Sequence, residues 1–434
     1  MTDGNWTLPR DLESLVDPTL LHAPDELTVA CYTCPLWHRS AMFDEQYGPG
    51  WTEYVLMQGA RPWFQGHNQP RQPLLGAMDE RRPETWVRYN ELALAHGIDV
   101  FIWDWYWYEG RPAIHEALEE GFLRAPNSDQ MRFAVMWTNH DWMNLFPNVH
   151  TDGSRSFLHR HDGPYSLDDI WRSISYIIAR YFHYPNYWRI ADKPVLVIWD
   201  PERLRSTFGE RATMELLNAL RDHALRLGHA GIHIHGDCTV AAALGAGDIR
   251  SSVNDLSELG FDTYGLYNPV VVAGTHRPVD EELPRYGHVA ADIVRTVWAE
   301  LDSVSSLPCF PSVSTGWDSA PRFNQVPRLN GGDRNTWPGA LVVVDETPAA
   351  FEALVKAALA FLQDRPSTAP ILTIGCWNEW TEGQYMLPDT RLGFGMLRAL
   401  ARALGRAVDE KSYASPGADE WTAASYQGPR LLAD

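Results

Sequence analysis

Cysteine is scarce in this chain, with five residues among 434. So small and odd a number cannot build the paired framework of a disulfide-stapled fold. Cys31, Cys238, Cys309 and Cys376 lie in or beside apolar segments, as small core residues do. Cys31 and Cys34 make one Cys-x-x-Cys, but no second pair completes a zinc site and no thioredoxin-like context surrounds it. Positive charge is also short: 36 Lys and Arg against 56 Asp and Glu leave a formal charge of −20. Such a chain repels phosphate backbones and anionic lipid, which argues against nucleic acid and membrane as partners. No stretch reaches ~18 uncharged apolar residues, and no basic segment leads into an apolar one at the N-terminus. The expected location is the cytoplasm, or outside the cell if a leader has been removed. Gly-x-Gly-x-x-Gly after the first strand, a P-loop and a Gly-x-Ser-x-Gly elbow are all missing, so neither a nucleotide cofactor nor a serine triad is signalled. No cofactor is expected. There is no short repeat and no Pro-rich or Ser-rich linker that would divide the chain.

What the chain does have is ample core material, 45% hydrophobic residues, and an excess of aromatics that includes 19 Trp. Strand-length apolar runs recur, each followed by a segment of helical period, and eight such units can be drawn. The strands are Thr28 to Thr33, Ile98 to Trp103, Arg132 to Trp137, Val195 to Trp199, Gly231 to His235, Phe261 to Gly265, Cys309 to Val313 and Ile371 to Trp377. Most are unbroken apolar runs, as sheets buried on both faces require. Helix signals fall between them. Ser166 precedes Asp168, Asp169 and Ile170 to Phe182, Thr347 and Pro348 open Ala349 to Leu362, and Gly97 and Gly228 follow helical runs as C′ residues. Eightfold β–α alternation predicts a (β/α)8 TIM barrel, with a doubly wound open sheet as the alternative. The expected layout is an N-terminal extension (1–27), the barrel (28–405) and a C-terminal surface tail (406–434), with long βα loops after strands one, three and seven.

The eighth strand breaks into Asn378, Glu379, Trp380, Thr381, Glu382 and Gly383. Residues three apart in a helical turn bring their Cβ atoms to roughly 5–6 Å. That approaches the separation of about 5–5.5 Å between the carboxyls of retaining glycosidases, so Glu379 and Glu382 are candidate catalytic residues. Trp377 and Trp380 beside them would desolvate the pair and raise one pKa, as an acid working at neutral pH needs. On spacing alone a plainer reading is favoured, in which Glu382 merely suits a helix N-terminus and Glu379 is solvated.

Aromatic and polar residues crowd the other strand ends. The second strand runs Trp103, Asp104, Trp105, Tyr106, Trp107, Tyr108, and alternation sends its Trp residues to one side and Asp104, Tyr106 and Tyr108 to the other. The third ends in Trp137, Thr138, Asn139, and the seventh is followed by Trp317 and Asp318. Flat faces beside amide and carboxylate groups suit sugar rings and their hydroxyls, so Trp103, Asp104, Tyr106, Trp137, Asn139, Trp317, Asp318, Trp377, Asn378 and Trp380 are candidate carbohydrate contacts, joined by His67 and Asp237. His233, His235 and Asp237 alternate onto one face and could hold a divalent metal, but hydroxyl-binding histidines are the commoner arrangement, and no metal is expected.

At these residues the chain resembles the WbsX-like proteins, related to glycoside hydrolase family 99. The shared segments are Gly50 to Glu53, Arg61 to Arg71, Gly97 to Tyr108, Trp137 to Trp142, Lys193 to Trp199, Gly316 to Asp318 and Trp377 to Gly383. The resemblance implies a retaining glycosidase whose Glu-Trp-x-Glu segment holds both carboxylates. Family 99 enzymes are endo-acting α-mannosidases that work without metal through a 1,2-anhydro sugar. By position Glu379 would then deprotonate the sugar 2-hydroxyl and Glu382 would act as acid/base at the glycosidic oxygen. The family usually has His where this chain has Thr381. WbsX-like relatives have also been described as glycosyltransferases, and a carbohydrate-binding protein without catalysis is a further alternative. Carbohydrate is the one partner expected, and the sequence gives no oligomeric state.

Overall fold

The computed structural model describes residues 26–143, 159–164, 166–244, 249–275, 283–322, 341–365 and 370–408. Most of the expected extension and tail lies outside them. Strands form where apolar runs allow burial on both faces. They are β1 (Thr28–Thr33), β2 (Val100–Tyr108), β3 (Arg132–Trp137), β4 (Lys193–Ile198), β5 (His233–Asp237), β6 (Thr263–Gly265), β7 and β8 (Ile371–Gly375). β7 comes in two pieces, Cys309–Phe310 and Ser312–Ser314, on either side of Pro311. The first piece pairs in parallel with β6 and the second with β8, so the ring closes through a single proline. Pro311 has no N–H to donate, but its carbonyl accepts from the Thr373 amide at 3.0 Å.

A parallel ladder from Thr28↔Ile371 to Cys31↔Ile374 joins the first strand to the last. That ladder makes the sheet the expected (β/α)8 barrel and excludes the open alternative, which would leave both edges unpaired. The principal helices are α1 (Pro83–Ala95), α2 (Leu167–Tyr181), α3 (Glu210–Arg226), α4 (Pro348–Asp364) and α5 (Gly395–Ala403). Their ends follow the sequence signals. Ser166 Oγ accepts from the Asp169 amide at 3.1 Å and Thr347 Oγ1 from the Ala350 amide at 3.2 Å, while Gly97 and Gly228 sit at φ 96° and 91° after α1 and α3.

Several strand boundaries move by a few residues, and two of the shifts have a plain physical reason. β5 starts at His233 because Gly231 sits at φ 105°, outside any strand conformation. β2 runs on to Tyr108 because its end folds back on Arg111–Ala113 as an antiparallel arm. All five cysteines are free. Among the described residues no helix is long and apolar enough to cross a membrane.

β2 decides what the pocket sees. Its odd-numbered residues point into the helix layer: Trp103 packs on Trp86 of α1 and on Phe122, while Trp105 and Trp107 pack on Tyr176 of α2. The even-numbered Asp104 and Tyr106 therefore face the barrel mouth.

Candidate active site

A cavity of about 380 Å³ opens at the C-terminal ends of the strands, where barrels build their sites. Glu53, Glu379, Glu382 and Arg322 line one part of it, Asp104 and Tyr106 come from β2, and Trp142, Trp199 and Tyr267 supply aromatic walls. Asp141, Asp200 and Arg203 line the cavity as well, with Arg203 paired to Asp141 at 2.7 Å.

Glu379 and Glu382 flank a short turn, Trp380–Glu382, within a hairpin whose arms are Asn378–Glu379 and Gln384–Tyr385. Arg322 bridges the two: its Nη2 lies 3.0 Å from Glu379 Oε1, and its Nη1 contacts Glu382 Oε1 directly. Its Nε donates to Thr381 Oγ1 at 3.1 Å. Gln384 Nε2 donates to the other Glu382 oxygen at 2.7 Å. A third acid, Glu53, reaches the same guanidinium at 3.6 Å and contacts the Thr381 hydroxyl. All three glutamates are buried. Burial pushes the Glu379 carboxyl well above the usual carboxylate range; Arg322 opposes this, and Glu53 and Glu382 add to it. Glu53 is raised by burial too, against the pull of Arg322 and Thr381. For Arg322 burial alone would favour loss of the proton, but Glu382, Glu53 and Glu379 together hold the guanidinium charged. Burial raises Asp104 strongly, opposed by a hydrogen bond from the Cys34 thiol.

The hairpin is anchored from behind. Asn378 Oδ1 accepts from the Cys34 amide at 2.8 Å, and its Nδ2 donates to the Cys34 carbonyl at 2.8 Å and to Glu80 Oε1 at 2.7 Å. Trp380 stacks on Tyr385 with centroids 4.0 Å apart. Asp318 lies under the turn, accepting from His67 Nε2 at 3.0 Å, Gln69 Nε2 at 2.7 Å and Arg71 Nη2 at 3.3 Å. Burial would raise Asp318, but the His67 and Gln69 hydrogen bonds and the Arg71 charge hold it below its ordinary value.

Of the residues singled out in the sequence, Glu379, Glu382, Asp104 and Tyr106 meet around the cavity. The other expected contacts do not line it. Trp103 and Trp377 pack outward, Trp377 against Tyr89 of α1 and Phe101, and Trp137 is opposite Trp105 in the ladder and shares its outward face. The correction has one cause: the strand alternation is real, and these tryptophans occupy its helix-facing side. Trp317 and Trp380 are buried away from the cavity. Asn139 is spent on bracketing Asp200, donating to its carbonyl and accepting from its amide at 2.9 Å each. His67, Asp318 and Asn378 brace the turn as described. Asp237 lies below the floor, capping the Thr239 amide at 2.9 Å, with burial pushing its carboxyl up to about 8.

His233 Nε2 and His235 Nδ1 each lie 2.9 Å from the same Thr263 hydroxyl, and burial lowers them to about 4 and about 3. Among the described residues no three His, Cys, Asp or Glu side chains gather as metal ligands would. Reading the sequence missed Arg322, Trp199 and Tyr267 as lining residues and noted Glu53 only within a shared segment. The usable signal was period two: counting from Asp104 separates inward from outward residues on β2. Nothing local marks Arg322.

Three comparisons bear on this arrangement. The family model described as Glycosyltransferase WbsX matches residues 28–400. An uncharacterized protein WxcX of Xanthomonas campestris pv. campestris is 27% identical over 389 residues, covering 88% of this chain and 50% of the relative. The chain thus spans about half the length of the curated relatives it matches. Among solved structures, the GH99 endo-alpha-mannosidase from Bacteroides thetaiotaomicron aligns with a TM-score of 0.51 at 15% identity, covering 88% of this chain and 96% of that one. A glycoside hydrolase-like protein aligns with a TM-score of 0.52 at 12% identity, covering 93% and 98%. At those identities the likeness is one of fold.

Proposed function

The chain belongs to the WbsX glycosyltransferase family, and from that premise we propose that it processes glycosides, as a retaining hydrolase acting on an α-mannoside-like linkage of a polysaccharide or oligosaccharide. One observation carries the reading: two buried glutamates, three residues apart and bridged by one arginine, on the wall of a barrel-mouth cavity. Glu379 takes the proton of the sugar 2-hydroxyl. The freed oxygen attacks the anomeric carbon of the same ring, and Glu382 gives its proton to the departing glycosidic oxygen. Water then opens the 1,2-anhydro ring with Glu382 as base, and Glu379 returns its proton to the 2-oxygen. Inversion twice leaves the anomeric configuration retained. Holding nucleophile and electrophile in one ring supplies the proximity, and the paired acid and base supply the proton transfers. Asp104, Tyr106 and the walls of Trp142, Trp199 and Tyr267 are the proposed sugar contacts.

The family's description favours a second reading, transfer of the sugar to an acceptor other than water. The same two glutamates could perform it from a glycoside donor. A nucleotide-sugar donor fits the cavity poorly: six carboxyls line it against two arginines, and both arginines already face carboxylates. The test is incubation with a set of polysaccharides while NMR follows the first-formed anomer. Retained configuration in the product is expected, and Glu379→Gln and Glu382→Gln should each cost about 10²–10⁴ in rate while substrate still binds. Transfer from a nucleotide sugar with no hydrolysis of any glycan, or near wild-type turnover in both variants, would overturn the reading.

A further inference from the structure

The Thr381 hydroxyl has more partners than one hydrogen can serve. It accepts from Arg322 Nε and stands within hydrogen-bond reach of Glu53 Oε2 and, at 3.0 Å, of Glu379 Oε1. A hydroxyl donates once and an ionised carboxylate donates nothing. For both carboxyl contacts to be hydrogen bonds, one of the acids must carry a second hydrogen.

We propose that Glu53 carries it, as a neutral carboxylic acid that donates to Thr381 and so directs the Thr381 hydrogen onto Glu379. Glu53 becomes a positioning residue for the catalytic pair, acting through Thr381 rather than on substrate.

Two observations choose Glu53 over Glu379. The guanidinium lies 3.0 Å from Glu379 but 3.6 Å from Glu53, and the nearer carboxyl gains more from it in its ionised form. Glu53 Oε1 has no donor within hydrogen-bond length, its nearest being Arg322 Nη2 at 3.6 Å, which a buried anion tolerates badly and the carbonyl oxygen of a neutral acid tolerates better. Both carboxyls are buried, Glu53 on the loop that precedes Tyr54–Gly59. The groups facing it are Arg322 from the β7 loop and Thr381, Glu379 and Glu382 from the β8 hairpin, with Cys34 and Asp104 beyond Glu379. One cation among three acids leaves an excess of negative charge, and a proton on Glu53 removes part of it without neutralising the base.

The rate consequence rests on the glycoside reading above; the location of the proton does not. Glu53→Gln keeps volume, neutrality and a donor for Thr381. The acid limb of its kcat–pH profile is expected to stay where the wild type has it. If Glu53 were an anion, the same substitution would remove a like charge beside Glu379 and move that limb down by about one unit or more, which would overturn the proposal. Neutron diffraction of the deuterated protein gives an answer independent of activity. Deuterium on Glu53 Oε2 supports the assignment; deuterium on Glu379 Oε1, or on neither acid, refutes it. Should no glycan be cleaved at all, the proposed function fails while the neutron result still decides this inference.

Discussion

Arg322 is the residue on which the three acids depend. Taking away one partner of a buried ionic set leaves charge that neither water nor protein compensates, at a cost of about 3–5 kcal/mol. Arg322→Met should therefore lower the unfolding free energy obtained from urea titration by that order. The same variant has a kinetic signature. Arg322 is what opposes the upward push on Glu379, so its loss raises that carboxyl further. A base works ionised, so the acid limb of the pH–rate profile should move to higher pH. A variant with an unshifted limb would separate Arg322 from Glu379.

At the scale of elements, the turn holding the acids is shaped by a glycine. Gly383 closes Trp380–Glu382 at φ 68°, and a Cβ there would lie 2.7 Å from Asp318 Cβ and 2.8 Å from the Asp318 amide nitrogen. Side chains other than glycine are strained at that φ, and the backbone in contact cannot rotate away. Gly383→Ala should lower the melting temperature and turnover together, while Gly110→Ala, also at positive φ but with open space around its Cβ, should spare turnover. The alternating units made the barrel legible in the sequence, because β–α periodicity is a local property. Glu379 and Glu382 were legible from their place after the eighth strand. The helix-facing destination of Trp103, Trp137 and Trp377 was not, since alternation tells which residues share a face without telling which face turns inward. Arg322 was equally hidden: its value comes from Glu53 and Glu379, held by loops far apart in the chain.

Across the whole molecule, acids raised by burial link protonation to stability. Asp237 titrates at about 8 in the fold, against roughly 3.9 in an unfolded chain. The folded state keeps a proton that the unfolded state has released, so this contribution is complete below about pH 4 and is lost as pH rises towards about 8. Glu53, Glu379 and Asp104 are shifted the same way. Thermal stability should accordingly decline from mildly acidic to mildly alkaline solution. Asp237→Asn removes one titrating group from the set, so its melting temperature should gain on wild type as pH climbs through that window. A constant gap between the two proteins would show that Asp237 does not titrate there.

The Asn378 clasp joins residues 344 positions apart, since Cys34 leaves the first strand and Asn378 follows the last. A chain growing from its N-terminus has made nearly all of the barrel before this contact can exist. Until β8 docks, Glu53 has neither Thr381 nor Glu379 to meet, and the acids stay separately hydrated. Their assembly is therefore a late event, postponed by the sequence distance that must first be closed. In the finished protein the dependence runs backwards: an opening at the β1–β8 seam would disperse the acids while the rest of the ring still stood, so the proposed chemistry would fail before folding did.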